Sequence, residues 1–169
     1  MILTRYTLPA PVSTPITLAL VCDLHNGRYE HILAAIENEG ADAVCVAGDF
    51  LDRRESTARG FAFLAACARR YPTFVSLGNH EWKCKGNIRA ELEKTGARLL
   101  DNDFVPFGEL LLGGLSSGYE GKEQGRFKRT PDPETEWLEG YCARERSSSF
   151  FFAITPNITG GICTNAILI

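Results

Sequence analysis

Three short apolar runs, each followed at once by polar residues, constrain the fold of this chain more than any other feature. The runs cover Ile16–Cys22, Ala43–Ala47 and Thr73–Leu77, and their apolar, β-branched composition predicts strands that are buried on both faces. Apolar residues recur at helical spacing between the runs, which predicts helices over Tyr29–Asn38 and Ser56–Arg70. Alternating strands and helices indicate an α/β layered domain with parallel strand pairing.

The rest of the chain predicts smaller elements. They are a helix over Asn87–Lys94, short strands near residues 98–100, 104–107 and 110–115, and a fourth helix over about 132–144. A length of 169 residues fits a single domain over 1–169.

Composition and charge exclude several classes of protein. A net charge of -3 gives no indication of a nucleic-acid partner. Prolines interrupt the first twenty residues, so we expect no signal peptide, and glycines and a proline make the apolar end of the chain a poor membrane span. The six cysteines include no C-x-x-C pair, which argues against a zinc framework or a disulfide knot and favours the reducing cytoplasm.

A polar cluster directly follows each of the three predicted strands. The clusters are Asp23-Leu24-His25, Gly48-Asp49-Phe50-Leu51-Asp52 and Gly78-Asn79-His80-Glu81. Each alone is explained by a turn or a helix cap. Together they favour a metal site, because adjacent parallel strands end side by side and because carboxylate, imidazole and amide oxygen are ligands of Mn, Fe or Zn.

These clusters resemble the first three signature blocks of the calcineurin-like metallophosphoesterase superfamily. The resemblance implies a two-sheet α/β sandwich of mostly parallel strands that holds two divalent metal ions. By this resemblance Asp23 and His25 bind the first ion, Asp49 bridges both, and Asn79 binds the second. His80 would protonate the leaving oxygen and Asp52 would orient His80, although an Asp at position 52 could also cap the following helix.

The implied activity is hydrolysis of a small-molecule phosphomonoester or phosphodiester by a metal-bound hydroxide. Two cations that share a carboxylate can lower the pKa of a bound water into the neutral range, and an imidazole can then protonate the leaving group. The alternative is a binding or interaction domain with a degenerate metal site and no catalysis.

The C-terminal part departs from the family pattern, which implies a histidine-bearing strand after the fourth helix, here at Phe150, and further histidines beyond it. This sequence has three histidines, and none follows His80. We therefore expect the C-terminal half of the sandwich to be missing and the activity to be impaired. An uncovered apolar face would then favour self-association.

A shift of reading frame would account for the atypical tail at 147–169. With each codon started one nucleotide earlier, the genetic code allows Ala153–Thr159 to be read as Cys-His-His-Pro-Glu-Tyr-Tyr, which resembles the missing histidine block. A naturally divergent tail is the alternative.

Overall fold

The computed structural model describes residues 2–52, 56–116, 135–142 and 149–152. Its elements in chain order are β1 (Leu18–Val21), α1 (Glu30–Asn38), β2 (Ala43–Ala47), α2 (Ala58–Ala68), β3 (Thr73–Ser76), a 3₁₀ turn (Glu81–Lys83), α3 (Ile88–Glu93), β4 (Arg98–Leu99), β5 (Asp103–Phe107), β6 (Leu110–Gly114), α4 (Thr135–Cys142) and β7 (Ser149–Phe152). Apart from β7, the tail for which a frameshift is predicted lies outside the described residues.

The first sheet is parallel throughout, with the strand order β1-β2-β3-β4. Val21 pairs with Val46, and Val46 pairs with Val75. The first three strands therefore end level with one another, and the loops that follow them meet at one edge of the sheet. This arrangement confirms the predicted α/β fold with parallel pairing.

Alternate residues of β2 pack into two different cores. Val46 belongs to a core with Phe63 and Leu64 of α2, on the helix side of the sheet. Cys45 belongs to a second core with Leu112 of β6, on the opposite side. Fully burying an apolar side chain of this size contributes roughly 1.5–3 kcal/mol. Because both faces of β2 are covered, its continuously apolar sequence is what a central strand requires.

The second sheet packs on the face of the first sheet that is opposite to α1, α2 and α3. β5 is antiparallel to β6, and β7 is parallel to β6, in the order β5-β6-β7. The hydroxyl of Tyr141 on α4 donates to the backbone oxygen of Leu111 at 2.6 Å. A Cβ at Gly113 would lie 2.7 Å from the Tyr141 ring, so glycine is needed where α4 meets β6.

The helices of the described residues have between six and eleven residues. None of them is long and apolar enough to cross a bilayer.

Candidate metal centre

The loops after β1 and β2 are joined by their backbones. The His25 N–H donates to the Asp49 carbonyl at 3.0 Å, and the Asn26 N–H donates to the Phe50 carbonyl at 3.1 Å. Asn26 is buried, and its Oδ1 also accepts from the Gly60 N–H of α2 at 3.3 Å. The strand-end loops are thus held in place by backbone and amide hydrogen bonds within the protein.

Three predicted site residues, one from each loop, converge at the sheet edge. His25, Asp49 and His80 each offer one potential ligand atom, and these three atoms lie within 4.8 Å of one another. The imidazole rings of His25 and His80 are 4.4 Å apart at their centroids. The His80 N–H donates to Oδ1 of Asp49 at 2.9 Å, which places the two residues in direct contact.

The hydrogen bonding of this cluster fits a divalent metal ion. Within the part of the chain that the structure describes, Nδ1 of His25 and Nδ1 of His80 are buried and have no hydrogen-bond partner. A buried polar atom without a partner is costly, so each one requires an explanation. Two imidazoles and a buried carboxylate form a donor set suited to Mn, Fe or Zn.

The remaining predicted metal ligands lie next to this cluster. Asp23 places its Oδ1 3.4 Å from Nε2 of His25, but it is not a member of the three-residue group. The Asn79 amide lies beside Asp49, 3.2 Å from Oδ2. Asp23 therefore contacts the cluster through His25, and Asn79 contacts it through Asp49.

Asp52 lies at the end of the same loop as Asp49. Its backbone oxygen accepts from Nδ2 of Asn26 at 3.2 Å. Burial raises the pKa of the Cys84 thiol to about 11, and the carboxylates of Glu81 and Asp52 add to the effect. The role of Asp52 in orienting His80 stays a prediction.

Glu81 was quoted in the sequence motif but was not predicted as a site residue. It is 2% exposed, and its carboxylate accepts from the N–H groups of Asp49 at 2.8 Å, Leu51 at 2.9 Å and Gly78 at 2.7 Å. It therefore ties the loop after β2 to the loop after β3. Burial raises the pKa of Glu81 to about 7, although the three N–H donors oppose that shift. Its signal in the sequence is indirect: tight strand-end loops leave N–H groups that need a buried acceptor.

Two glycines allow these loops to approach each other. Gly48 has a φ of +69°, and a Cβ on it would lie 2.4 Å from the Gly78 nitrogen. A Cβ on Gly78 would lie 2.1 Å from Oδ1 of Asp49. Only glycine is compatible with both contacts.

The site also contains backbone strain. Asp23, His25, Asn26 and Asp49 all have φ between +47° and +55°. Such conformations cost energy for residues other than glycine and concentrate at functional sites. Three of these four residues, Asp23, His25 and Asp49, are predicted metal ligands.

Comparisons with known proteins find one matching family model and a similar solved structure. A family model described as calcineurin-like phosphoesterase matches residues 16–157. The fold is similar to the crystal structure of TT1561 of Thermus thermophilus, with a TM-score of 0.59 and 14% sequence identity, covering 88% of this chain and 72% of that chain. A search of curated proteins finds no significant match.

Proposed function

The chain belongs to the calcineurin-like phosphoesterase family, and from this premise we propose that it hydrolyses phosphomonoesters or phosphodiesters of small molecules with the help of divalent metal ions. The observation that carries the proposal is the convergence of His25, Asp49 and His80 from three separate loops within 4.8 Å. Polar side chains brought together at the carboxyl ends of parallel strands are typical of ligand sites in α/β proteins.

The residues that would hold metal are Asp23, His25, Asp49 and Asn79, with Asp49 shared between two ions of Mn, Fe or Zn. When bound, such ions stabilise charge on the phosphoryl oxygens and lower the pKa of a water nucleophile. Two hydrogen bonds keep Asp49 in place. The backbone N–H of His80 donates to Oδ1 of Asp49, and the backbone N–H of Asp49 donates to the Glu81 carboxylate.

The proton for the leaving oxygen would come from His80. Its ring lies against His25, and its backbone is bonded to the Asp49 carboxylate, so the imidazole is held at the cluster rather than in solvent. An imidazole titrates close enough to neutral pH to give a proton to an alkoxide. We propose that Asp52 fixes the tautomer of this ring.

The test is hydrolysis of 4-nitrophenyl phosphate and of bis(4-nitrophenyl) phosphate with and without added Mn²⁺. The expected result is turnover that depends on Mn²⁺, is abolished by a chelator and falls at least 100-fold in Asp49→Asn. Asp103→Asn removes an exposed carboxylate on β5 and is the matched control, with activity unchanged. Mn²⁺ binding without any turnover, both in this chain and in a chain with the histidine-bearing frame restored, would contradict hydrolysis and support the alternative of a non-catalytic binding domain.

The reading-frame hypothesis adds a second comparison. We propose that the chain as printed is impaired and that a chain with the histidine-bearing frame restored after about codon 147 has higher turnover. Sequencing of the coding DNA around that codon tests the hypothesis directly. If no single insertion or deletion opens a frame with histidines, the tail is a natural divergence.

A further inference from the structure

The Asn79 amide lies between the Asp49 carboxylate and the Lys83 ammonium. When the amide is oriented so that both its ends are hydrogen bonded, Nδ2 donates to Oδ2 of Asp49 at 3.2 Å and Oδ1 accepts from Nζ of Lys83 at 2.8 Å. Lys83 lies at the end of the 3₁₀ turn that follows His80, four positions after Asn79. In this orientation the ammonium is held against the amide oxygen that the second ion would need.

A metal ion shared by Asp49 and Asn79 requires the opposite amide orientation. Metal ions bind the amide oxygen, because the NH₂ group is only a donor. Turning Oδ1 toward Asp49 would place the Nδ2 donor 2.8 Å from the position of the Lys83 ammonium, which is itself only a donor. Binding a second ion thus breaks two hydrogen bonds and sets the Asn79 NH₂ group against the Lys83 ammonium, two donors with no acceptor between them.

The positive charge of Lys83 also weakens binding of a second ion. Since a single amide would separate them, the Lys83 ammonium would lie no more than about 7 Å from an ion on Asn79. At that distance, repulsion between the single charge of Lys83 and the double charge of the ion weakens binding of the ion roughly sevenfold, even at the dielectric constant of water. Lys83 is half-buried, so the effective dielectric constant is lower and the effect is larger.

We infer that Lys83 makes the two ion positions unequal. One divalent ion binds at Asp23, His25 and Asp49, whereas a second ion at Asn79 binds at least tenfold more weakly because Lys83 supplies the positive charge there. This inference rests on the metal binding of the proposed function. It identifies Lys83 as a positioning residue that controls how many ions the site holds.

The test is titration of the metal-free protein with Mn²⁺, followed by calorimetry and by electron paramagnetic resonance, which distinguishes a single Mn²⁺ from an exchange-coupled pair. Lys83→Met removes the charge and keeps most of the side-chain stem. Lys85→Met removes the same charge from an exposed position two residues later and is the matched control. Lys83→Arg keeps the charge, and Lys83→Gln is a second neutral variant if the methionine variant fails to fold.

The expected result is one tight and one weak ion in the unmodified protein, in Lys85→Met and in Lys83→Arg. The neutral variants at position 83 should bind the second ion at least tenfold more tightly and show the coupled-pair spectrum at lower Mn²⁺ concentrations. Two equally tight ions in the unmodified protein, or an unchanged second affinity in the neutral variants, would overturn the inference while the proposed function stands. Failure of the unmodified protein to bind any Mn²⁺ would overturn both.

Discussion

Glu81 offers the sharpest test of how this site is held together. Glu81→Ala leaves the N–H groups of Asp49, Leu51 and Gly78 without their acceptor in a buried position. A buried donor left unpaired costs about 1–3 kcal/mol. Water that enters the new cavity replaces part of this bonding, so we expect a net loss of about 4 kcal/mol in the free energy of unfolding. A domain of this size is stable by roughly 5–15 kcal/mol, so the loss is a large part of the total.

Glu81→Gln separates the shape of the side chain from its hydrogen bonding. In the native protein one carboxylate oxygen accepts from Asp49 and Gly78, and the other accepts from Leu51. Glutamine can keep its oxygen at the first position, but its NH₂ group then faces the Leu51 N–H. One hydrogen bond is lost, and the expected cost is about 1–2 kcal/mol, well below that of alanine.

Urea unfolding followed by circular dichroism measures both losses. Glu93→Ala removes an exposed carboxylate from α3, and we expect it to change the free energy of unfolding by less than about 0.5 kcal/mol. If Glu81→Ala were as mild as this control, or if Glu81→Gln were the more damaging of the two variants at position 81, the inference that Glu81 joins the two loops would be wrong. The comparison of glutamine with the unmodified protein remains informative even if the alanine variant does not fold.

Three further outcomes follow from individual contacts. Gly78→Ala places a Cβ 2.1 Å from the Asp49 carboxylate, so Mn²⁺ affinity measured by calorimetry should fall at least tenfold and stability should fall by about 1–3 kcal/mol. Tyr141→Phe removes the buried hydrogen bond to β6 and should cost about 1–2 kcal/mol in urea unfolding, with Mn²⁺ affinity unchanged. Ser13 donates its N–H and hydroxyl to Glu109, and these bonds lower the pKa of Glu109. The Glu109 contacts therefore stabilise the N-terminal segment above the ordinary pKa of glutamate, and this stabilisation is lost as the pH falls through the lowered pKa. The amide resonance of Ser13 in an NMR pH titration reports the loss, and a midpoint at or above pH 4.5 would contradict the expectation.

The sequence predicts the parallel sheet well because burial on both faces leaves a direct signal. The strand over Ala43–Ala47 is predicted with the bounds that the structure has, and the predicted helix at 56–70 contains the observed Ala58–Ala68. The predicted strand at Phe150 is also present, as β7 over Ser149–Phe152. The polar clusters could be placed at one edge because parallel strands with level ends leave few alternatives.

The inner organisation of the site could not be predicted in the same way. Glu81 and Asn26 are polar residues whose partners are mainly backbone groups of other segments, and such contacts leave no periodicity in the sequence. Lys83 reads as an ordinary surface lysine until the structure places its Nζ 2.8 Å from the Asn79 amide. Sequence patterns do not predict how closely separate loops approach each other, because that distance depends on glycine contacts and on buried acceptors.

The backbone strain and the buried acceptors explain each other. Asp49 adopts a φ of +50°, and the loop that carries it would relax if it were free to do so. It is not free, because its N–H is bonded to Glu81, its carbonyl accepts from His25, and its side chain accepts from the His80 N–H. Two neighbouring loops therefore fix the backbone of Asp49, and one of them also holds its carboxylate, through hydrogen bonds within the protein. A site held in this way loses little conformational entropy when it binds metal, so the folded protein bears the cost of ordering the ligands in advance.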